Sequence, residues 1–100
     1  MIPKNFNIFG QTIKVLYKKT LHKTHDAIGL WFPNTNTIHI QQNTKEYEIN
    51  KDNIEQTFCH ELIHCMLEKI GRTDLSSDEK LVDNLGQVLH QFIKENYTLQ

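Results

Sequence analysis

His60-Glu61-Leu62-Ile63-His64 sets two imidazoles four positions apart, with a carboxylate beside the first. On a helix, residues four apart lie one turn above each other on the same face. Two imidazoles so related can both reach one Zn²⁺ at ~2.0–2.1 Å. Zinc lowers the pKa of a water bound to it toward ~7, and a nearby carboxylate can take the proton released. Glu61 is placed for that task. The activated water can then attack a carbonyl polarised by the same ion. His60 and His64 are therefore expected as ligands of one zinc ion, and Glu61 as general base.

Catalytic zinc needs a third protein ligand and an open fourth position. Glu79 is the candidate for the third ligand, at the start of a second helical segment that can turn back against the first. Two readings compete with it. Ser76-Ser77-Asp78-Glu79 also has the form of a capping box, in which Glu79 would bond the Ser76 backbone N–H. The adjacent Asp78 could also serve as a ligand. Asp83 lies one turn beyond Glu79 and is placed to accept a hydrogen bond from the free ring nitrogen of a histidine ligand. Its alternative is a surface aspartate on a solvated helix face. Gly86, seven residues beyond Glu79, shares that face and permits a close approach of the two helices.

These residues need two helices to carry them. Asp52 with Glu55 has the form of a helix start. Ile54, Phe58, Leu62 and Met66 recur every fourth position, flanked by Ile63, Leu67 and Ile70, and His60, Glu61 and His64 fall on the remaining arc. Gly71 is the expected stop. The second helix opens at Ser76-Ser77-Asp78-Glu79 and carries Leu81, Val82, Leu85, Val88, Leu89, Phe92 and Ile93 as a broad apolar face. The first half of the chain reads as strands. Phe6-Asn7-Ile8 is a short extended candidate. Thr12-Ile13-Lys14-Val15-Leu16-Tyr17 is a strand with Ile13, Val15 and Tyr17 on one face. Residues 20–26 read as an irregular polar loop. Ile28-Gly29-Leu30-Trp31-Phe32 and Thr37-Ile38-His39-Ile40-Gln41, joined by Pro33-Asn34-Thr35-Asn36, read as an antiparallel hairpin. The expected fold class is α+β: an antiparallel sheet of about three strands with two main helices packed on it, residues 1–100 forming one domain.

The helical half resembles the gluzincins, the HExxH metallopeptidases whose third ligand is a glutamate on a following helix. Glu79-Lys80-Leu81-Val82-Asp83 matches the Glu-x-x-x-Asp pattern of that helix. With Thr57-Phe58-Cys59 preceding the motif, the chain looks like the small phage and bacterial members called minigluzincins. The resemblance spans residues 28–92. It implies a zinc endopeptidase in which Glu79 completes the metal site and Asp83 supports a histidine ligand. The C-terminal subdomain of larger gluzincins, with its oxyanion-stabilising histidine or tyrosine, has no counterpart here.

Composition narrows the partners. A net charge of −1 gives no pull toward nucleic acid or an anionic membrane. With 38% hydrophobic residues the chain can form a core, and no stretch is long enough to span a bilayer. No signal peptide is legible at residues 1–5, so a cytoplasmic monomer acting on an extended peptide or protein substrate is expected. Cys59 and Cys65 share a helix ~9 Å apart along its axis, too far to pair, and read as buried thiols. Lys14, Lys18, Lys19 and Lys23 read as solvated. His39 could line the cleft but fits a polar strand face better. His22 and His25 read as loop residues, with a blocking fourth ligand as their alternative role. His90 lies too far down the second helix to reach the same metal. Trp31 and Phe32 read as packing residues. Tyr47 and Tyr97 are the remaining oxyanion candidates. The rival readings are a non-catalytic zinc module, marked by a fourth protein ligand, and a peptidase kept latent by its N-terminal loop or by residues 96–100.

Overall fold

The computed structural model describes residues 2–97. Four strands come first: β1 (Asn5–Ile8), β2 (Gln11–Lys18), β3 (Gly29–Phe32) and β4 (Thr37–Gln41), with a short helix α1 (Leu21–Thr24) between β2 and β3. Helices α2 (Lys51–Lys69), α3 (Thr73–Ser76) and α4 (Glu79–Tyr97) follow. The α+β class is as expected, with one strand more. The extra strand is β1, the extended candidate around Phe6-Asn7-Ile8, paired antiparallel with β2 through a turn at Phe9 and Gly10. Both turn residues have positive φ, 49° and 73°, as a two-residue primed hairpin turn requires.

The sheet order is β1-β2-β4-β3, and it is mixed rather than wholly antiparallel. β3 and β4 form the expected antiparallel hairpin, but β4 runs parallel to β2, with Val15 opposite Ile38 and Tyr17 opposite Ile40. The cause is burial. β4 is closed off nearly along its whole length, with Ile38 at 0% and Ile40 at 1% exposure, so it takes the interior position and leaves β3 at the edge. Ile13, Val15, Ile38 and Ile40 pack beneath Phe58, Cys59 and Cys65 of α2, and Phe6 meets Phe58 edge-on at 6.1 Å. Each apolar side chain so buried stabilises the fold by about 1.5–3 kcal/mol. A one-residue slip of β4 would turn both isoleucines out of the core, which fixes the register.

Three local expectations are corrected. The segment at residues 20–26 is not an irregular polar loop: it contains α1, whose Leu21 is buried. The fully buried Gln41 side chain holds α1 in place, accepting from the His22 backbone N–H at 2.8 Å and donating to the Lys19 carbonyl at 2.7 Å. Helix α2 begins two residues before the capping-box signal. Its cap is Asn50, whose side chain accepts the Asn53 N–H at 2.8 Å. And α4 is capped by Asp78, whose carboxylate accepts the Leu81 N–H at 3.1 Å, so the Ser76 capping box does not form.

Gly71, with φ of +81°, ends α2 as expected. The Arg72 N–H reaches back to the Leu67 carbonyl at 2.8 Å and the Gly71 N–H to Glu68 at 3.0 Å, so the chain reverses at once. Helix α2 lies on β3 and β4, and α4 lies along α2, with Leu89 reaching the core. Only part of the expected apolar face of α4 is covered. Val82, Gly86 and His90 are buried, whereas Leu85, Val88 and Phe92 are exposed. No helix among the described residues is long and apolar enough to cross a membrane.

Candidate metal centre

His60, Glu61 and His64 occupy the middle of α2, where the strand layer and α4 both approach. The antiparallel return of α4 brings its first turn against them. His60 Nε2 lies 3.1 Å from Glu79 Oε1, and His64 Nε2 lies 3.2 Å from Glu79 Oε2. The two rings are 5.0 Å apart between centroids. Suitable donor atoms of His60, His64 and Glu79 all lie within 4.8 Å of one another, so the three residues form a group that could hold a metal ion. Glu79 stands at the exposed mouth of the site, freed from capping because Asp78 does that work. Asp78 turns to the backbone rather than to the histidines.

Asp83 lies beside the His60 ring. Its Oδ1 lies 3.5 Å from His60 Nδ1, on the ring nitrogen turned away from Glu79, and Gln87 Nε2 donates to its other oxygen at 2.7 Å. The helices can meet this closely because of Gly86, whose missing Cβ would stand 3.1 Å from the His60 Cα.

Glu61 lies outside the apolar stripe of α2, yet α2 is covered on more than one side and Glu61 is only 7% exposed. Burial pushes its carboxyl up to about 7; His60 works against the shift, Glu79 adds to it, and the Trp31 backbone N–H bonded to the carboxylate works against it. Gly29 makes the room: a Cβ there would collide with Thr57 and stand 3.1 Å from Glu61 Cγ. Beside Glu61 opens a cleft of about 310 Å³, bounded by Ile28 and Gly29 on the strand side and by Asn53, Gln56 and Thr57 on α2.

The partner of His64 is absent from the sequence reading. His64 Nδ1 lies 2.9 Å from Ser76 Oγ. Ser76 donates to Glu68 Oε2 at 2.8 Å, and the Trp31 indole N–H donates to Glu68 Oε1 at 3.0 Å. Glu68 is one turn beyond His64 on α2, a spacing that could have marked it. Ser76 carried a competing capping signal, and Trp31 read only as packing.

The remaining candidates lie elsewhere. His39 faces away from α2 on the interior strand β4 and packs at a tilt on Phe32, 4.5 Å between ring centroids; burial, then Lys18 and His25, hold its pKa below the usual value. The strand that edges the cleft is β3. His22 stacks on Tyr47 at 4.2 Å, and His25 contacts Thr24 and Phe32. Tyr97 packs on Phe92. Cys59 and Cys65 are buried free thiols, each pushed up to about 11 chiefly by burial. The tail at residues 96–100 lies outside the described residues beyond Tyr97.

A second group able to hold a metal ion, Asp52, Glu55 and His90, lies toward the start of α2. There His90 bonds Glu55 at 3.2 Å and Gln56 at 3.1 Å, and Lys94 already supplies the cation for Asp52 at 2.7 Å. These contacts clamp α4 to α2. No family model, curated protein or solved structure matches this chain.

Proposed function

We propose that this protein is a zinc metallopeptidase of the gluzincin type, resembling the small phage and bacterial minigluzincins. One observation carries the reading: the Nε2 atoms of two histidines one helical turn apart face the two oxygens of a single carboxylate from the next helix, at 3.1 and 3.2 Å. Two neutral imidazoles and a carboxylate are the donor set of a catalytic rather than a structural zinc site. His60, His64 and Glu79 would hold the ion. None of the described cysteines, nor His22 or His25, belongs to the group, which favours an open fourth position over a closed structural site.

Bound there, zinc would supply a polarised carbonyl and an acidified water. Glu61 would take the proton from that water and pass it to the departing amine. A carboxyl group tuned toward neutrality by burial suits both halves of that transfer. Asp83 would hold the His60 ring in place. The open edge of β3 lies beside the cleft, and an extended peptide could add there as a further strand, its side chains alternating between cleft and solvent.

The test is zinc content together with cleavage of casein and of a peptide library, for the native chain and for Glu61→Gln. One zinc per chain in both, with cleavage by the native chain alone, is the expected result. Equal zinc with no cleavage by either would leave a metal-binding module without peptidase activity.

A further inference from the structure

We infer that Glu68 and Ser76 are positioning residues that lock the proton of His64 onto Nδ1, so that Nε2 is presented bare to the metal; the inference rests on the metal-site reading above. The direction of each hydrogen bond follows from what each group can do. The Trp31 indole N–H can only donate, and it donates to Glu68 Oε1 at 3.0 Å. As a carboxylate, Glu68 can only accept. Ser76 has one proton, and it is committed to Glu68 Oε2 at 2.8 Å. The hydroxyl therefore has only lone pairs left for its other neighbour, His64 Nδ1, at 2.9 Å. That nitrogen must carry the hydrogen, which leaves Nε2, facing Glu79, as the ring nitrogen available to a metal ion.

The reverse arrangement fails on the same distances. If Ser76 donated to His64, its oxygen would face Glu68 Oε2 at 2.8 Å with no proton between them. Ser76 is 5% exposed, so water has little access to relieve that contact. The relay also differs from the support of His60. Asp83 is about half-exposed and stands 3.5 Å from its ring, whereas the His64 relay is sheltered and anchored by Trp31 to the strand that edges the cleft. Glu68 thus ties a metal ligand to β3.

Long-range ¹H–¹⁵N correlation spectra of the metal-free chain read the tautomer directly. The native chain is expected to show His64 protonated at Nδ1. Ser76→Ala should move His64 toward the Nε2–H form and weaken zinc binding about 10–100-fold, measured by competition with a chromophoric chelator. Ser76→Thr, which keeps the hydroxyl, should restore both, and an unchanged His60 ring pattern in every variant reports an intact fold. An Nε2–H tautomer of His64 in the native chain overturns the inference, as does a Ser76→Ala chain with native tautomer and native affinity. Should Ser76→Ala fail to fold, the native spectrum and the Thr variant decide. The expected tautomers in a chain that binds no zinc would support the relay and remove the zinc reading instead.

Discussion

Gly86 sits directly against the backbone of His60: a Cβ built on it would stand 3.1 Å from His60 Cα and 3.2 Å from His60 N. The atoms in the way are main chain, so they cannot step aside by changing rotamer. Gly86→Val is expected to push α4 off α2, costing about 1–3 kcal/mol and carrying Glu79 away from the histidines. Urea unfolding and zinc titration of the variant check this. An unshifted midpoint would mean that the helices do not meet as described.

Gly29 offers a cleaner separation of roles. The atoms nearest to an alanine Cβ there belong to Thr57 and Glu61, not to the three residues that would hold the metal. Gly29→Ala should bind zinc nearly as well as the native chain while losing most peptide cleavage. A loss of zinc in parallel with cleavage would show that the crowding spreads into α2 as a whole.

Removing the general base has a calculable scale. Proton transfer by a positioned carboxylate contributes about 10²–10⁴-fold to rate. Glu61→Gln should lower kcat by that order with zinc affinity retained. A variant that keeps native turnover would assign the proton transfer to another group.

Glu61 also makes the metal-free chain sensitive to pH. Its carboxyl is raised from 4.5 to about 7 in the folded state, so the fold binds this proton more tightly than the unfolded chain does. The corresponding stabilisation is complete below about 4.5 and is lost as pH rises through about 7. Between those limits, metal-free native protein should lose stability relative to Glu61→Gln, which has no charge to bury. Thermal melts of both chains across that range, in chelator, are the measurement, and parallel curves would refute the assignment.

Gln41 tests the scaffold rather than the chemistry. Its amide serves the His22 N–H and the carbonyls of Lys19 and Gln42, all from a fully buried position. Gln41→Leu should destabilise the fold by about 1–3 kcal/mol through those stranded groups, visible in urea unfolding. Because α1 is remote from α4, zinc affinity in the folded variant should stay within about twofold of native.

The sequence alone determined what depends on neighbours along the chain. A four-residue spacing on a helix puts His60 and His64 on one face wherever that helix lies, and a glycine with positive φ stops α2 at Gly71 in any tertiary setting. The hairpin of β3 and β4 was likewise legible, since alternating apolar residues around a Pro-Asn turn leave little choice. Spacing also placed Asp83 one turn from Glu79, and the structure brings both to the histidines.

Tertiary packing decided the rest. Periodicity along one strand cannot say which strand lies next to it, so the parallel pairing of β2 with β4 and the edge position of β3 came only with the assembled sheet. The sequence offered the Ser76 capping box for the start of α4; the structure uses Asp78 instead, which leaves both Glu79 and Ser76 for other partners. A helical wheel left Glu61 outside the apolar stripe because it carries one boundary between core and water, whereas α2 is covered by the sheet on one side and α4 on another. The Trp31–Glu68–Ser76–His64 chain links a strand, two turns of one helix and the short helix after it. Those four side chains, drawn from residues 31 to 76, acquire their order of donors and acceptors only when the fold sets them within 3 Å of one another.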